Sequence, residues 1–238
     1  MRRLGPLYGG AVALVHSTPW RWPDAVADEP RSPGWVVALG APIGLVAWAS
    51  SALAVAAGLP ASIGAILAVA ALTFASAALM ERGLAARTDG WQGHAAAGHG
   101  AGAIVALVVV TALRIAALAA VRPERWLAVL IATALVGRWS AVFLQALGEP
   151  VQEDHAPRSL VAAPAPAWLT AALGAAALVV AVAALGAKAG VAAVAVSAAV
   201  AFGLGLDAQR RDSGLTAPVV ATAAAAGELV VLLLASIG

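Results

Sequence analysis

Long apolar stretches alternate with short polar segments along the whole chain. Seven stretches are long enough, or nearly so, to cross a bilayer as helices, because about 20 apolar residues span its hydrocarbon. These predicted spans are residues 35–58, 61–80, 101–121, 126–147, 168–187, 190–206 and 216–237. Residues 81–100 and 148–167 are the predicted polar loops. The pattern predicts an all-α, polytopic integral membrane helical bundle, with residues 1–238 forming a single transmembrane domain.

Composition supports the membrane assignment. Of the 238 residues, 62% are hydrophobic and 11% charged, whereas a soluble domain carries about 25% charged residues. The absence of Cys excludes a disulfide scaffold. The net charge of +2 gives no argument for a nucleic-acid partner, and the expected surroundings are a lipid bilayer. A short apolar N-terminal segment, residues 4–15, is interrupted by Gly9 and Gly10 and predicts an interfacial or re-entrant piece.

Basic residues are distributed unevenly between the two faces of the predicted bundle. Three lie on one face, namely Arg122, Arg125 and Lys188, and nine lie on the other, namely Arg2, Arg3, Arg21, Arg31, Arg82, Arg87, Arg158, Arg210 and Arg211. Because Lys and Arg accumulate in cytoplasmic loops, the second face and the N-terminus are predicted to be cytoplasmic. Four histidines share that face as scattered loop residues or as a soft-metal site: His16, His94, His99 and His155.

Three charged residues fall inside predicted spans. They are Arg114, Arg138 and Glu228, each near the middle of its helix. An unpaired charge at that depth costs about 2.5–3.5 kcal/mol, so these residues should face the bundle interior. Two interpretations stay open: a purely structural ion-pair cluster, or a site in which Glu228 neutralises one arginine and leaves the other for an anionic ligand. Trp139 beside Arg138 could stack on the guanidinium or on a flat ligand.

Several motifs occur in a characteristic order. Residues 80–90 read Met-Glu-Arg-Gly-Leu-Ala-Ala-Arg-Thr-Asp-Gly, the fourth span contains Gly137-Arg138-Trp139, and residues 210–218 read Arg-Arg-Asp-Ser-Gly-Leu-Thr-Ala-Pro. The last span contains Gly227-Glu228. In this order, on a small Ala-rich membrane protein, the motifs resemble the cobalamin 5′-phosphate synthase family, also called adenosylcobinamide-GDP ribazoletransferase. Residues 13–19, 41–44 and 113–118 are also similar to stretches of that family.

Some acidic positions of the family's motifs are replaced in this chain. The first Asp of the family's acidic loop falls on Arg82 and the second on Ala86, while Asp89 and the preceding Glu81 remain. The family's later Gly-Asp pair becomes Ala217-Pro218. The loss of carboxylates supports an alternative, a catalytically degenerate relative that binds a ligand or partner. A small transporter is a third, weaker alternative, because the two halves show no convincing repeat.

The resemblance implies a membrane-bound transfer of alpha-ribazole or its phosphate onto adenosylcobinamide-GDP, with release of GMP, in the bacterial inner membrane. It implies Mg²⁺ held by Glu81 and Asp89, although Gly83 and Gly90 argue against one continuous helix there. Catalytic roles carry over to Asp89, Glu228 and Arg138. Substrate-binding roles carry over to Arg82, Arg87, Trp139, Arg210, Arg211 and Thr216. Alternatively, the basic pairs only set the orientation of the helices in the membrane. A homo-oligomer is left open.

Overall fold

The computed structural model describes residues 32–91, 100–151 and 165–238, together with Gly10, Ala13, Leu14 and Thr18. For Trp91 only the backbone is described. The four histidines and most of residues 4–15 therefore lie outside the described residues. Residues 92–99 of the first predicted polar loop and residues 152–164 of the second also lie outside them.

All regular elements in the described part of the chain are helical, apart from one isolated bridge between two loops. Residues 32–91, 100–151 and 165–238 contain nine α-helices: α1 (Pro33–Ala38), α2 (Gly40–Ala56), α3 (Ala61–Ala75), α4 (Leu79–Trp91), α5 (Ala101–Ala120), α6 (Trp126–Leu147), α7 (Ala167–Leu185), α8 (Ala187–Arg211) and α9 (Ala217–Ile237). A single 3₁₀ turn, Pro123–Arg125, leads into α6. The predicted all-α class is confirmed.

Six of these helical segments are long and apolar enough to cross a membrane, with α1 and α2 counted together. The pair α3 and α4 brings the number to seven if it is taken as one crossing, although its two helices meet at 83°. The protein is thus a multi-pass membrane helical bundle. The sixth predicted span, 190–206, is longer in the structure, where α8 runs for 25 residues.

Helices α6 and α9 form the centre of the bundle. In their most apolar windows 72% and 61% of residues are buried, against 22–39% in the other spanning helices. The two helices approach closely at Gly137, where an added Cβ would lie 2.5 Å from Glu228 Cγ and 2.9 Å from the Ala224 carbonyl oxygen. Small residues permit such contact between helices whose other faces meet lipid. This contact brings Glu228, the most buried acid of the described residues, beside α6.

The break between α3 and α4 was not predicted. The N–H groups of Ala77 and Ala78 donate to Phe74 and Thr73 carbonyls, both at 2.9 Å, which is the paired hydrogen-bond pattern of a Schellman helix end. Ala77 and Ala78 both have φ of 51°. The end of α2 has the same pattern with Gly58 at φ 83° in the left-handed position.

The chain resumes as a helix immediately after this break. The segment predicted as a polar loop from residue 81 is helical through Trp91, and Gly83 and Gly90 both lie within α4. Gly83 packs against α9, where its added Cβ would lie 2.3 Å from the Ala221 Cβ. Glycine lowers intrinsic helix propensity. At position 83 its lack of a side chain permits this close packing, and the helix continues through it.

Replacement of Ala77 by Gly is expected to stabilise the protein, because a left-handed conformation costs an L-residue about 1–2 kcal/mol and glycine almost nothing. The matched control is Ala86→Gly on the exposed face of α4, which should destabilise by about 0.5–1 kcal/mol. Thermal unfolding in detergent measures both. A lower unfolding temperature for Ala77→Gly than for Ala86→Gly would contradict the assigned backbone conformation.

Candidate functional site

Four charged side chains from four helices meet inside the bundle, and Glu81, Arg114, Arg138 and Glu228 are named here the buried charge cluster. Glu228 lies between the two arginines: its Oε2 is 3.1 Å from Arg114 Nη2 and its Oε1 is 3.6 Å from Arg138 Nη1. Arg114 Nη1 also donates to Oε1 of Glu81 at 2.8 Å. The side chains of Arg114, Arg138 and Glu228 are only 2–3% exposed, so solvent screens these charges little.

Neutral groups add hydrogen bonds to Glu81 and Arg114, although Glu81 Oε2 and Arg114 Nε are buried without a hydrogen-bond partner among the described residues. Thr73 Oγ1 donates to Glu81 Oε1 at 2.9 Å, and Arg114 Nη2 donates to the Ala225 carbonyl at 3.2 Å. Glu81 therefore accepts on one oxygen from a hydroxyl and a guanidinium together. The break before α4 is what carries Glu81 into the interior, where it meets α5 and α9.

Arg138 also makes a hydrogen bond at the break between α3 and α4. Its Nη2 donates to Ser76 Oγ at 2.9 Å and its Nη1 to the Ala134 carbonyl at 3.1 Å. The cavity beside Arg138 and Ser76 measures about 10 Å³, which is room for roughly one water molecule. In this conformation Arg138 does not reach a space that would admit a substrate phosphate.

The charges of the buried charge cluster cancel, since it contains two acids and two bases. Of the two interpretations left open by the sequence, this geometry supports the structural ion-pair cluster. The reason is Glu81. The charges inside the predicted spans include only one carboxylate, and Glu81 supplies the second. Neither arginine is left over for an anionic ligand, and the cluster holds α4, α5, α6 and α9 together.

A second set of charges lies where α4 and α8 end and α9 begins; Arg87, Asp207, Arg211 and Asp212 are named here the Arg87 cluster. Arg87 Nη1 donates to Asp212 Oδ2, and Arg87 Nη2 donates to Asp207 Oδ2. Arg211 Nε donates to the other oxygen of Asp207 at 2.7 Å. The Arg87 side chain is 6% exposed and the two aspartates 31% and 29%. Arg87 thus joins α4 to α8 and to the loop before α9.

Asp89 and Arg82 occupy different surroundings on α4. Asp89 is buried, and its Oδ1 accepts the Gly100 N–H at 3.0 Å, which ties the end of α4 to the start of α5. Glu81 lies eight residues earlier, about 12 Å along the helix axis, and is engaged by Arg114. The structure does not bring Glu81 and Asp89 together as a pair. Arg82 is exposed.

Trp139 lies away from the guanidinium beside it in sequence. Its indole N–H donates to the Thr170 carbonyl at 3.2 Å, and its ring packs against Phe143 with centroids 5.2 Å apart. Both rings line an apolar groove of about 380 Å³ against α7. Of the other predicted substrate-binding residues, Arg210 is exposed at the end of α8, and Thr216 immediately precedes α9.

Comparison with known proteins identifies the family. The profile of cobalamin-5-phosphate synthase matches residues 11–236, nearly the whole chain. The chain belongs to the cobalamin-5-phosphate synthase family. No curated protein and no solved structure matches the chain. The resemblance inferred from the ordered motifs is therefore confirmed, and membership in this enzyme family implies a role in cobalamin biosynthesis.

The described residues do not fit a resident magnesium ion in this family member. Magnesium is bound through oxygen ligands, typically one or two carboxylates together with substrate phosphates. Glu81 and Glu228 face arginines in the buried charge cluster, and Asp207 and Asp212 face Arg87. In the described ranges no three His, Asp or Glu side chains group together as metal ligands. Magnesium dependence stays a prediction.

Sequence reasoning missed several residues that matter in these clusters. Thr73 and Ser76 gave no signal, because single hydroxyl residues in apolar helices commonly bond to their own backbone. Asp207 did have a signal in the sequence, since it precedes Arg211 by four residues and such pairs face each other on a helix. The partnership of Arg87 with Asp207 spans 120 residues and had no local signature.

Neutralising one member of the buried charge cluster should destabilise the bundle. Glu228→Gln removes one negative charge and leaves two arginines to share Glu81, which should cost about 3 kcal/mol or more. Thermal unfolding in detergent measures the loss, with Glu124→Gln on the exposed 3₁₀ turn as the matched control. The double variant Glu228→Gln/Arg138→Gln restores charge balance and should lose less than the two single changes added together. Additive losses would contradict the cluster.

Breaking the Arg87 cluster should loosen one helix end. Arg87→Gln leaves Asp207 and Asp212 without their shared guanidinium, at a cost of about 1–2 kcal/mol because both aspartates are partly exposed. Hydrogen exchange measured by mass spectrometry should speed up in residues 85–91 and 207–216. Arg82→Gln, an exposed arginine on the same helix, is the control. Unchanged exchange in both segments would show that Arg87 does not join them.

Proposed function

We propose that this chain transfers alpha-ribazole, or its phosphate, onto adenosylcobinamide-GDP and releases GMP. The observation that carries the proposal is the match of the cobalamin-5-phosphate synthase family over residues 11–236. A hydroxyl oxygen of alpha-ribazole forms a bond to the phosphorus that carries cobinamide. The bond from that phosphorus to the bridging oxygen breaks, and GMP leaves with the electron pair. The hydroxyl proton is released.

Exposed arginines near the Arg87 cluster support a binding site for the substrate phosphates at this end of the bundle. Such transfers depend mainly on positioning and on neutralising the phosphate charge. Arg210 and Arg211 are exposed at the end of α8, and Arg82 is exposed on α4. A guanidinium donates two parallel hydrogen bonds to a phosphate. Arg87 serves a different purpose in this proposal, since it is a positioning residue that holds α4 against α8.

Asp89 is the acid of α4 that lies closest to this end. Its contact with Gly100 orders the junction between α4 and α5, so we assign it a positioning role beside the phosphates. In this proposal Arg138 and Glu228 have a structural role, as members of the buried charge cluster. Thr216 precedes α9, and its hydroxyl makes no hydrogen bond that caps that helix, so this proposal leaves the hydroxyl for the substrate.

The degenerate-relative alternative also has a specific observation in its favour. Four of the described carboxylates, Glu81, Glu228, Asp207 and Asp212, face guanidinium groups. A chain that retains the family's fold in this form would bind a corrinoid or nucleotide ligand without transferring a group. The two proposals differ in one observable, the release of GMP.

For localisation, we propose the bacterial inner membrane with the Arg87 cluster on the cytoplasmic side. The support is the excess of Lys and Arg in the loops on that side. Arg122, Arg125 and Lys188 lie at the opposite end of the helices, where α5, α6, α7 and α8 turn. Substrates that carry nucleotides would then meet the protein from the cytoplasm.

Purified protein in detergent, given adenosylcobinamide-GDP and alpha-ribazole, is expected to release GMP. Arg210→Gln and Arg82→Gln should each slow release at least tenfold, since a charge-assisted bond to phosphate is lost. Arg122→Gln, an exposed arginine at the opposite end, should release GMP at the unchanged rate. Parallel reactions with EDTA or added Mg²⁺ test the magnesium prediction. No release by the unaltered chain would favour the degenerate relative.

Membrane orientation can be tested by single-cysteine labelling, because the natural sequence contains no Cys. In intact cells Lys188→Cys should react with a membrane-impermeant maleimide, whereas Ser213→Cys should react only after the cells are opened. Both positions are exposed in the structure, so burial does not explain a difference. The reverse labelling pattern would place the Arg87 cluster on the outer side.

A further inference from the structure

A cleft between the ends of α6 and α8 belongs to neither charge cluster. We name it the α6–α8 cleft; it measures about 240 Å³ and is lined mainly by Leu144, Leu147, Glu149, Phe202, Leu206 and Gln209. Pockets for whole drug-sized ligands measure roughly 300–1,000 Å³. The α6–α8 cleft is smaller, so it suits a single ring system with the rest of a ligand outside.

Two polar groups face an otherwise apolar lining. Glu149 is exposed and makes no ion pair with any residue of the described ranges, and Gln209 is exposed one helical turn from Leu206. A carboxylate offers acceptors only, whereas a side-chain amide offers both donors and an acceptor. Phe202 adds an aromatic face. This combination suits a flat heterocycle that donates from one edge and accepts at another.

The position of Glu149 is held by the backbone. The Leu215 N–H donates to the Glu149 carbonyl at 2.8 Å, and the Val151 N–H donates to the Leu215 carbonyl at 3.1 Å. These bonds form the isolated bridge between the segments that follow α6 and precede α9. The carboxylate therefore projects from an ordered segment beside the cleft.

A basic residue lies one helical turn beyond the cleft lining on α8. On α8, positions 202, 206 and 210 follow one another at four-residue intervals and share one face. Arg210 lies one turn beyond Leu206, about 6 Å further along the axis, and is exposed. A ring bound in the cleft would thus have a guanidinium beyond it on the side where α8 ends, where it could bind a phosphate joined to the ring through a ribose.

We infer that the α6–α8 cleft binds the guanine base of a guanine nucleotide, with Glu149 reading its donor edge and Arg210 binding the adjacent phosphate. This inference rests on the proposed function, whose substrate carries guanosine diphosphate and whose product is GMP. Guanine presents N1–H and the N2 amino group together, and a carboxylate accepts from both. Adenine has an acceptor at N1, which would face the carboxylate unfavourably. Gln209 donates to the guanine O6, and Phe202 stacks on the ring.

Nucleotide binding by the purified full chain in detergent tests the inference. Equilibrium dialysis should show GMP bound at least tenfold more tightly than AMP. Glu149→Gln should weaken GMP binding about tenfold and remove the preference for GMP, because a charge-assisted bond is replaced by a neutral one. Glu124→Gln, an exposed acid at the opposite end, should change neither value. Equal binding of GMP and AMP, or an unaffected Glu149→Gln variant, would overturn the assignment.

Two further variants separate the parts of the ligand. Phe202→Ala should weaken GMP and guanosine alike by fivefold or more, because stacking involves the base. Arg210→Gln should weaken GMP and leave guanosine unchanged, because only GMP carries the phosphate. A Phe202→Ala variant that binds as the natural chain does, or an Arg210→Gln variant that loses guanosine, contradicts the assigned orientation.

The experiments distinguish this inference from the proposed reaction. Selective GMP binding that depends on Glu149, without any GMP release from adenosylcobinamide-GDP, would support the cleft and reject the transfer. GMP release with an unchanged KM for adenosylcobinamide-GDP in Glu149→Gln would support the transfer and reject the cleft. Loss of both binding and release would reject both proposals.

Discussion

The buried charge cluster is the constraint on which the rest of the bundle depends. Arg114, Arg138 and Glu228 lie within helices that are apolar and long enough to span a membrane, and each unpaired charge there would cost about 2.5–3.5 kcal/mol. Glu228 has to lie between Arg114 and Arg138, which places α9 against both α5 and α6. Gly137 leaves the space for that glutamate to lie against α6. Charge pairing and close packing therefore require the same arrangement of helices.

The broken helix α3–α4 is explained by the same requirement. A continuous α3 would have carried Glu81 along the membrane normal and away from Arg114. The break turns the chain by 83°, and two left-handed alanines hold it there at a conformational cost. Ser76 at the break receives a hydrogen bond from Arg138, and Glu81 just after it pairs with Arg114. The hydrogen bond before the break and the ion pair after it offset its strain.

The remaining charges are arranged differently and form the surface to which the proposed function assigns substrate binding. The buried charge cluster is neutral and closed, whereas the end that carries the Arg87 cluster has exposed arginines and a cleft with an unpaired carboxylate among the described residues. The carboxylates that the resemblance assigned to a metal are engaged by arginines or lie far apart on α4. In the proposed reaction, the exposed guanidinium groups at this end would neutralise phosphate charge.

The class of the protein follows from its sequence. Seven apolar stretches and few charges require a membrane helical bundle, because hydrocarbon tolerates no other way to satisfy so much backbone, and the order of weak motifs was enough to identify the family. The end of α3 could be seen only in the tertiary structure. Ala77 and Ala78 occupy the left-handed positions there, whereas a glycine at one of them would have predicted a helix end from the sequence. The tertiary structure also decided the partners of Arg87 and Glu81, because ion pairs between helices join residues that are distant in sequence and leave no local pattern.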